Sequence, residues 1–208
     1  MKTLQDMWEA IKAQNIIFDA VLTGYMGESG HIQLGVEIID HVKTQNPDAL
    51  IAVDPVMGDH GRLYIPEDRA DMLIETLVPK ADFITPNLWE LEYINSRMEN
   101  LPDRLVTSVP FKRQEARDEI GASWQSGETH LSVRHAKFEE VPHGGGDSLA
   151  ALFLGRRLLG ESPETALTKS VASIFEIMGA AHRLDMGELP LVRLQACIDD
   201  PTALEVQS

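Results

Sequence analysis

Leu50-Ile51-Ala52-Val53-Asp54-Pro55 is a four-residue apolar run closed abruptly by an acid and a proline. A run this short reads as a buried strand, and Pro55 ends it because proline brings no N–H to a ladder. Two other stretches share the pattern: Asp19-Ala20-Val21-Leu22-Thr23, ended by Gly24, and Asp82-Phe83-Ile84-Thr85, ended by Pro86. Helical spacing fills the intervals. Leu4, Met7, Trp8 and Ile11 mark a helix over 3–14, and Ile32, Val36, Ile39 and Val42 mark a second that stops before Pro47. Pro66 opens a third near its first helical position, and Asn87 can cap a fourth carrying Leu88 to Ile94. The order α-β-α-β-α-β-α predicts an α/β fold with a mostly parallel, covered sheet. Thr23, Asp54 and Thr85 follow the three strands, and ligands of open α/β sheets bind off such carboxyl ends.

After residue 95 the pattern changes. Leu105 to Val109 reads as a strand, and Ile120 to Gln125 with Thr129 to Val133 as a hairpin around Ser126-Gly127-Glu128. Val141-Pro142-His143-Gly144-Gly145-Gly146-Asp147-Ser148 then leads into a helix through Leu159. Pro163 to about Arg183 forms another, and the tail from Gly187 holds one short helix and a polar end. No internal repeat or low-complexity segment is evident.

The 208 residues suffice for one domain, expected over residues 1–208. Lys plus Arg number 18 against 33 Asp plus Glu, a net charge of -15. That balance argues against a general nucleic-acid or anionic-membrane binder, but not against a nucleotide in a local pocket. Cys197 is the only cysteine, which excludes an internal disulfide and a Cys-based metal site. With no bilayer-length apolar run and no signal-peptide core at the start, a cytoplasmic location is the expectation.

The glycine run carries the clearest chemistry. Three glycines leave backbone N–H groups unshielded, and the following helix adds its positive N-terminal end, so the pair suits a phosphate-like anion. Asp147 at its edge would repel a resting phosphate, but makes sense as the base that takes a proton from an attacking hydroxyl. The plain alternative is a flexible loop whose helix Asp147 caps. The Gly-Lys-Ser/Thr ending of a Walker loop is absent. Asp54-Pro55-Val56-Met57-Gly58-Asp59 offers two acids near a metal–triphosphate, or merely a turn. Asn87 and Glu90, three apart, resemble a capping box, while Glu90 could equally organise water around Mg²⁺. The seven histidines form no metalloprotease spacing, and Ser29 and Ser148 lack a nucleophile-elbow context.

Together these segments resemble pyridoxal kinase, a family of the ribokinase-like superfamily. The resemblance rests on Asp19 through Gly27, Asp54 through Asp59, Tyr64 through Asp68, Ala81 through Asn87 with Glu90, and Pro142 through Asp147. It implies a three-layer α/β/α domain that moves the γ-phosphate of ATP to the 5′-hydroxyl of pyridoxal. By motif, Asp147 would be the base and touch the substrate, with Gly144, Gly145 and Gly146 the anion hole. Asp54, Asp59, Thr85, Glu90, Thr107 and Ser108 would handle ATP and Mg²⁺, with Asp54 and Glu90 acting on the metal through water. A monovalent cation and a homodimer are further implications. The family pattern usually has Thr where Gly145 stands. The chain also resembles a shortened member, lacking the first strands and the lid and short between Glu90 and Leu105. Two alternatives follow: a truncated, catalytically impaired nucleotide-binding protein, or a kinase acting on a hydroxymethylpyrimidine.

Overall fold

The computed structural model describes residues 2–111, 118–202 and 204–207, arranged as two compact units, Met1–Pro102 and Asp103–Ser208. The first unit runs α1 (Lys2–Lys12), β1 (Ala20–Thr23), α2 (Ser29–Gln45), β2 (Leu50–Val53), β3 (Gly58–Asp59), β4 (Arg62–Leu63), α3 (Glu67–Thr76), a 3₁₀ turn (Val78–Lys80), β5 (Phe83–Ile84) and α4 (Leu88–Asn95). The three apolar runs become β1, β2 and β5. β1 pairs parallel with β2, Thr23 opposite Val53, and β2 pairs parallel with β5, Val53 opposite Ile84. Ile51, Val53 and Ile84 are buried together with Ile32 and Ile39 of α2 and Leu73 and Ile74 of α3. β2 and β5 are buried on both faces, so their sequences are continuous apolar runs rather than alternations; β1, expected to be buried as well, is not, since Ala20 and Val21 are half-buried and Leu22 is exposed.

β3 and β4 form a small antiparallel hairpin that the sequence reading took for a plain turn. His60 (φ 50°) and Gly61 (φ 80°) both sit in the left-handed region, as a two-residue hairpin turn of the primed kind requires.

The second unit runs β6 (Asp103–Phe111), β7 (Glu119–Ser126), β8 (Thr129–Ala136), α5 (Gly145–Leu158), α6 (Pro163–Arg183), α7 (Gln195–Asp199) and β9 (Val206–Gln207). Parallel pairing belongs to the first unit; here β6–β7, β7–β8 and β8–β9 are all antiparallel. Gly127 (φ 54°) turns the expected hairpin. β9 comes from the tail that read as merely polar, and it pairs Val206 with Val133. α5 and α6 pack on each other, and α6 lies against β7 and β8. Trp124 of β7 meets Phe153 of α5 with ring centroids 5.0 Å apart. Among the described residues no helix is long and apolar enough to cross a membrane.

Candidate functional site

In the first unit, parallel register brings three polar residues to one end of the strands. The Asp54 N–H donates to the Thr23 carbonyl (3.4 Å) and the Thr85 N–H to the Val53 carbonyl (3.1 Å). Each residue thus sits at or one step past its strand's carboxyl end. All three are buried: Thr23 is 6% exposed, Asp54 7% and Thr85 3%. The hydroxyls of Thr23 and Thr85 have no hydrogen-bond partner among the described residues. A buried hydroxyl without a partner costs free energy, so two of them flanking an acid leave hydrogen-bonding capacity for water or a ligand to satisfy. The sequence places all three at the strand ends where ligands bind, while the resemblance implies a role with ATP and Mg²⁺ for Asp54 and Thr85 and none for Thr23.

Glu90 is 4% exposed. The N–H groups of Met57 (2.8 Å) and Gly58 (3.3 Å) donate to its Oε1, and that of Asn87 (3.0 Å) to its Oε2. Asn87 reciprocates: its Oδ1 accepts from the Glu90 N–H (2.9 Å), completing the capping box of α4. Its Nδ2 also donates to the Gly58 carbonyl (2.9 Å). The capping-box expectation therefore holds, and the same carboxylate also ties down the chain between Asp54 and Asp59. Burial pushes the Glu90 carboxyl above its ordinary range; the amides of Asn87, Met57 and Gly58 oppose that rise, and the charge of Asp59 adds to it.

Gly58 is bare because a Cβ there would strike the Trp89 ring and come within 2.5 Å of the Arg62 carbonyl. Asp59 ends β3, and its Oδ1 accepts from the His60 N–H (2.7 Å). Tyr64, which sequence reasoning did not assign to the site, has its phenol pushed above the usual range by burial and then by the charges of Asp59 and Glu90, against the pull of Arg62. The signal for it in the sequence was its place at the head of the segment Tyr64 through Asp68, which carries part of the resemblance.

In the second unit, the glycine run does not form a loop capped by Asp147. α5 begins at Gly145, Gly144 is its N-cap without a side-chain bond, and Asp147 sits third in the helix. The three glycines differ in what a side chain would meet. Gly144 has φ 96°, a left-handed conformation that a side chain resists. A Cβ on Gly145 would overlap the Met178 methyl. A Cβ on Gly146 would meet nothing within 4 Å, and neither its φ nor a neighbour asks for glycine. Gly146 is thus the glycine the fold leaves unexplained, next to an exposed Asp147 whose carboxylate has no hydrogen bond among the described residues.

Thr107, Ser108, Gly145 and Gly146 line one cavity of about 80 Å³ within this unit. Ser108 has φ 55° where the β6–β7 register slips between Val106 and Val109. Such strain in a non-glycine residue gathers at ligand sites. His135 lines the same cavity, and burial pushes its imidazole below the ordinary range.

Among the described residues no three His, Cys, Asp or Glu side chains converge to hold a metal ion. The Asp54 carboxylate and the two partnerless hydroxyls are nevertheless hard oxygen donors, which suit Mg²⁺ carrying water and phosphate as its other ligands.

Acids and hydroxyls at parallel strand ends, and a glycine-opened helix bearing an acid in its first turn, define a ribokinase-like small-molecule kinase. A family model described as phosphomethylpyrimidine kinase matches residues 2–192. The chain belongs to that family. Pyridoxal kinase PdxY of Deinococcus radiodurans is 30% identical over 97% of this chain and 76% of its own length. A Bacteroides thetaiotaomicron structure assigned to phosphomethylpyrimidine kinase and solved with pyridoxal superposes with a TM-score of 0.79 at 25% identity, covering 99% of this chain and 80% of that one. Pyridoxal kinase of Leishmania donovani, solved with ADP and pyridoxamine, shares the fold at a TM-score of 0.81 and 19% identity, over 100% of this chain and 81% of that one.

Proposed function

We propose that this protein phosphorylates the 5′-hydroxyl of pyridoxal with ATP as donor. The observation that carries the reading is the opening of α5, where Gly146 is bare without a structural need beside an exposed acid that has no hydrogen bond among the described residues. The N–H groups of Gly145 and Gly146 meet the negative charge that develops on the transferred phosphoryl group. Asp147 accepts the proton of the attacking hydroxyl. Asp54, Thr85 and Thr23 would hold Mg²⁺ with ATP phosphate, and the ion would supply charge neutralisation. Asp59 belongs to the same phosphate-handling set, as do Thr107 and Ser108 in the second unit. Glu90 has already given three acceptor sites to backbone amides, so its part in the metal's water shell is at most one Oε2 lone pair.

Residues 1–208 act on this reading as one kinase domain. The family match favours one competitor, a hydroxymethylpyrimidine acceptor. Purified protein given Mg-ATP with pyridoxal, pyridoxamine or hydroxymethylpyrimidine separates them. Pyridoxal phosphate as the preferred product supports the proposal. Preference for the pyrimidine replaces the acceptor, and ATP binding without any phosphorylated product replaces the enzyme with a nucleotide-binding protein.

A further inference from the structure

Gly145, the middle glycine of the run 144–146, lies where a neighbour's methyl takes the place of a side chain. Gly145 lies outside the left-handed region, so its backbone does not require glycine. What a side chain there would meet is Met178 of α6: its methyl, the mobile end of the side chain, occupies the place of a Cβ and would have to shift, and its sulfur lies 3.7 Å from that point. The same side chain lines the cavity shared by Thr107, Ser108, Gly145 and Gly146. One flexible, polarisable thioether therefore touches the first turn of α5 and the space beside it, all within the second unit.

We propose that Met178 is a positioning residue for the anion-binding turn. Its methyl props bare Gly145 and sets the roll of the first turn of α5, and through it the direction of the Gly145 and Gly146 N–H groups. The inference rests on the reading of that turn as the ATP-phosphate site. Hydrogen-bond donors misplaced by less than 1 Å lose much of their effect on a phosphoryl group, so a prop at this spot acts on binding and turnover without touching substrate. Gly145→Ala drives the methyl away from the turn, and Met178→Ala removes it. In the double variant the new Cβ refills part of the vacated volume.

The test is a double-mutant cycle on G145A, M178A and G145A/M178A. ATP affinity is read by calorimetry without acceptor, alongside thermal midpoints and kcat for pyridoxal. Each single variant should weaken ATP binding by about 5-fold or more and lower kcat, and the double variant should return to within about 2-fold of the parent. M178L, which keeps the volume, should stay near the parent. A purely structural role would move the midpoint and leave ATP affinity alone, which overturns the proposal; additive losses in the cycle overturn it too. Should M178A fail to fold, G145A decides, since unchanged ATP affinity in G145A is equally contrary. A parent that binds ATP but does not phosphorylate pyridoxal refutes the function proposed above and leaves this cycle decisive. A parent that phosphorylates pyridoxal while the cycle is additive refutes this inference alone. A parent with no ATP affinity overturns both.

Discussion

Replacing Glu90 by glutamine asks whether its carboxylate serves the backbone or a metal. Three N–H groups, those of Met57, Gly58 and Asn87, end on its two oxygens. A glutamine with its oxygen toward Met57 and Gly58 turns its NH₂ on the Asn87 N–H, donor against donor. Reversed, it leaves the Met57 and Gly58 N–H donors without their acceptor. The better orientation loses one hydrogen bond to a charged group, about 1.5–3 kcal/mol, and weakens two others from charged to neutral, about 0.5–1.5 kcal/mol each. Burial, which already pushes the Glu90 carboxyl upward, returns part of this because a neutral amide costs less to bury than a charge. A net loss of about 2 kcal/mol follows, or about 4–8 °C in the transition that includes the first unit. The assay is thermal unfolding of parent and E90Q in EDTA, without nucleotide. If Glu90 did no more than order water around Mg²⁺, the two proteins would melt together in EDTA, and the argument from the capping box would be refuted.

Gly144→Ala and Gly146→Ala should part company. The first forces alanine to φ 96° and should cost about 1–2 kcal/mol in a denaturant melt. The second has open space and gains helix propensity, so it should match or exceed parent stability while pyridoxal phosphorylation falls. Ser108→Gly relieves a left-handed φ and should stabilise the fold by about 1 kcal/mol, read by chemical unfolding. His135 has a folded pKa below its ordinary 6.5, because burial disfavours the imidazolium. Its stabilising contribution is therefore present above about pH 6.5 and is lost as acidification passes down through the folded value, with a slope of up to about 1.4 kcal/mol per pH unit. H135Q should flatten that part of the stability–pH curve; an unchanged slope would show that the imidazole does not titrate there.

Much of this was legible in the sequence, for identifiable reasons. Short apolar runs closed by proline or glycine located β1, β2 and β5; for β2 and β5 this is because a strand covered on both faces has no polar alternation, whereas β1 kept its apolar run although Leu22 is exposed. Asn87 and Glu90 were read as a capping box from spacing alone. Their second task was invisible, since it depends on Met57 and Gly58 arriving from a chain segment thirty residues earlier. The glycine run gave the expectation of an anion site, but not where the helix began. Placing Asp147 in the first turn rather than at the cap needed the φ of Gly144. β3 and β4 escaped because two-residue strands leave almost no periodicity, and β9 because its reason for existing is the open edge of β8. Thr23 looked like any strand-ending threonine, and only its partnerless hydroxyl sets it apart. Met178 carried no signal at all, because its meaning lies in the absence of a side chain on a residue thirty-three positions away.

The most direct measurement compares parent and D147N for transfer of the ATP γ-phosphate to pyridoxal, with ATP affinity determined on the same samples. The account predicts that D147N binds ATP like the parent and turns over at least about 100-fold more slowly, as loss of a general base entails. Equal turnover by the two proteins would contradict it.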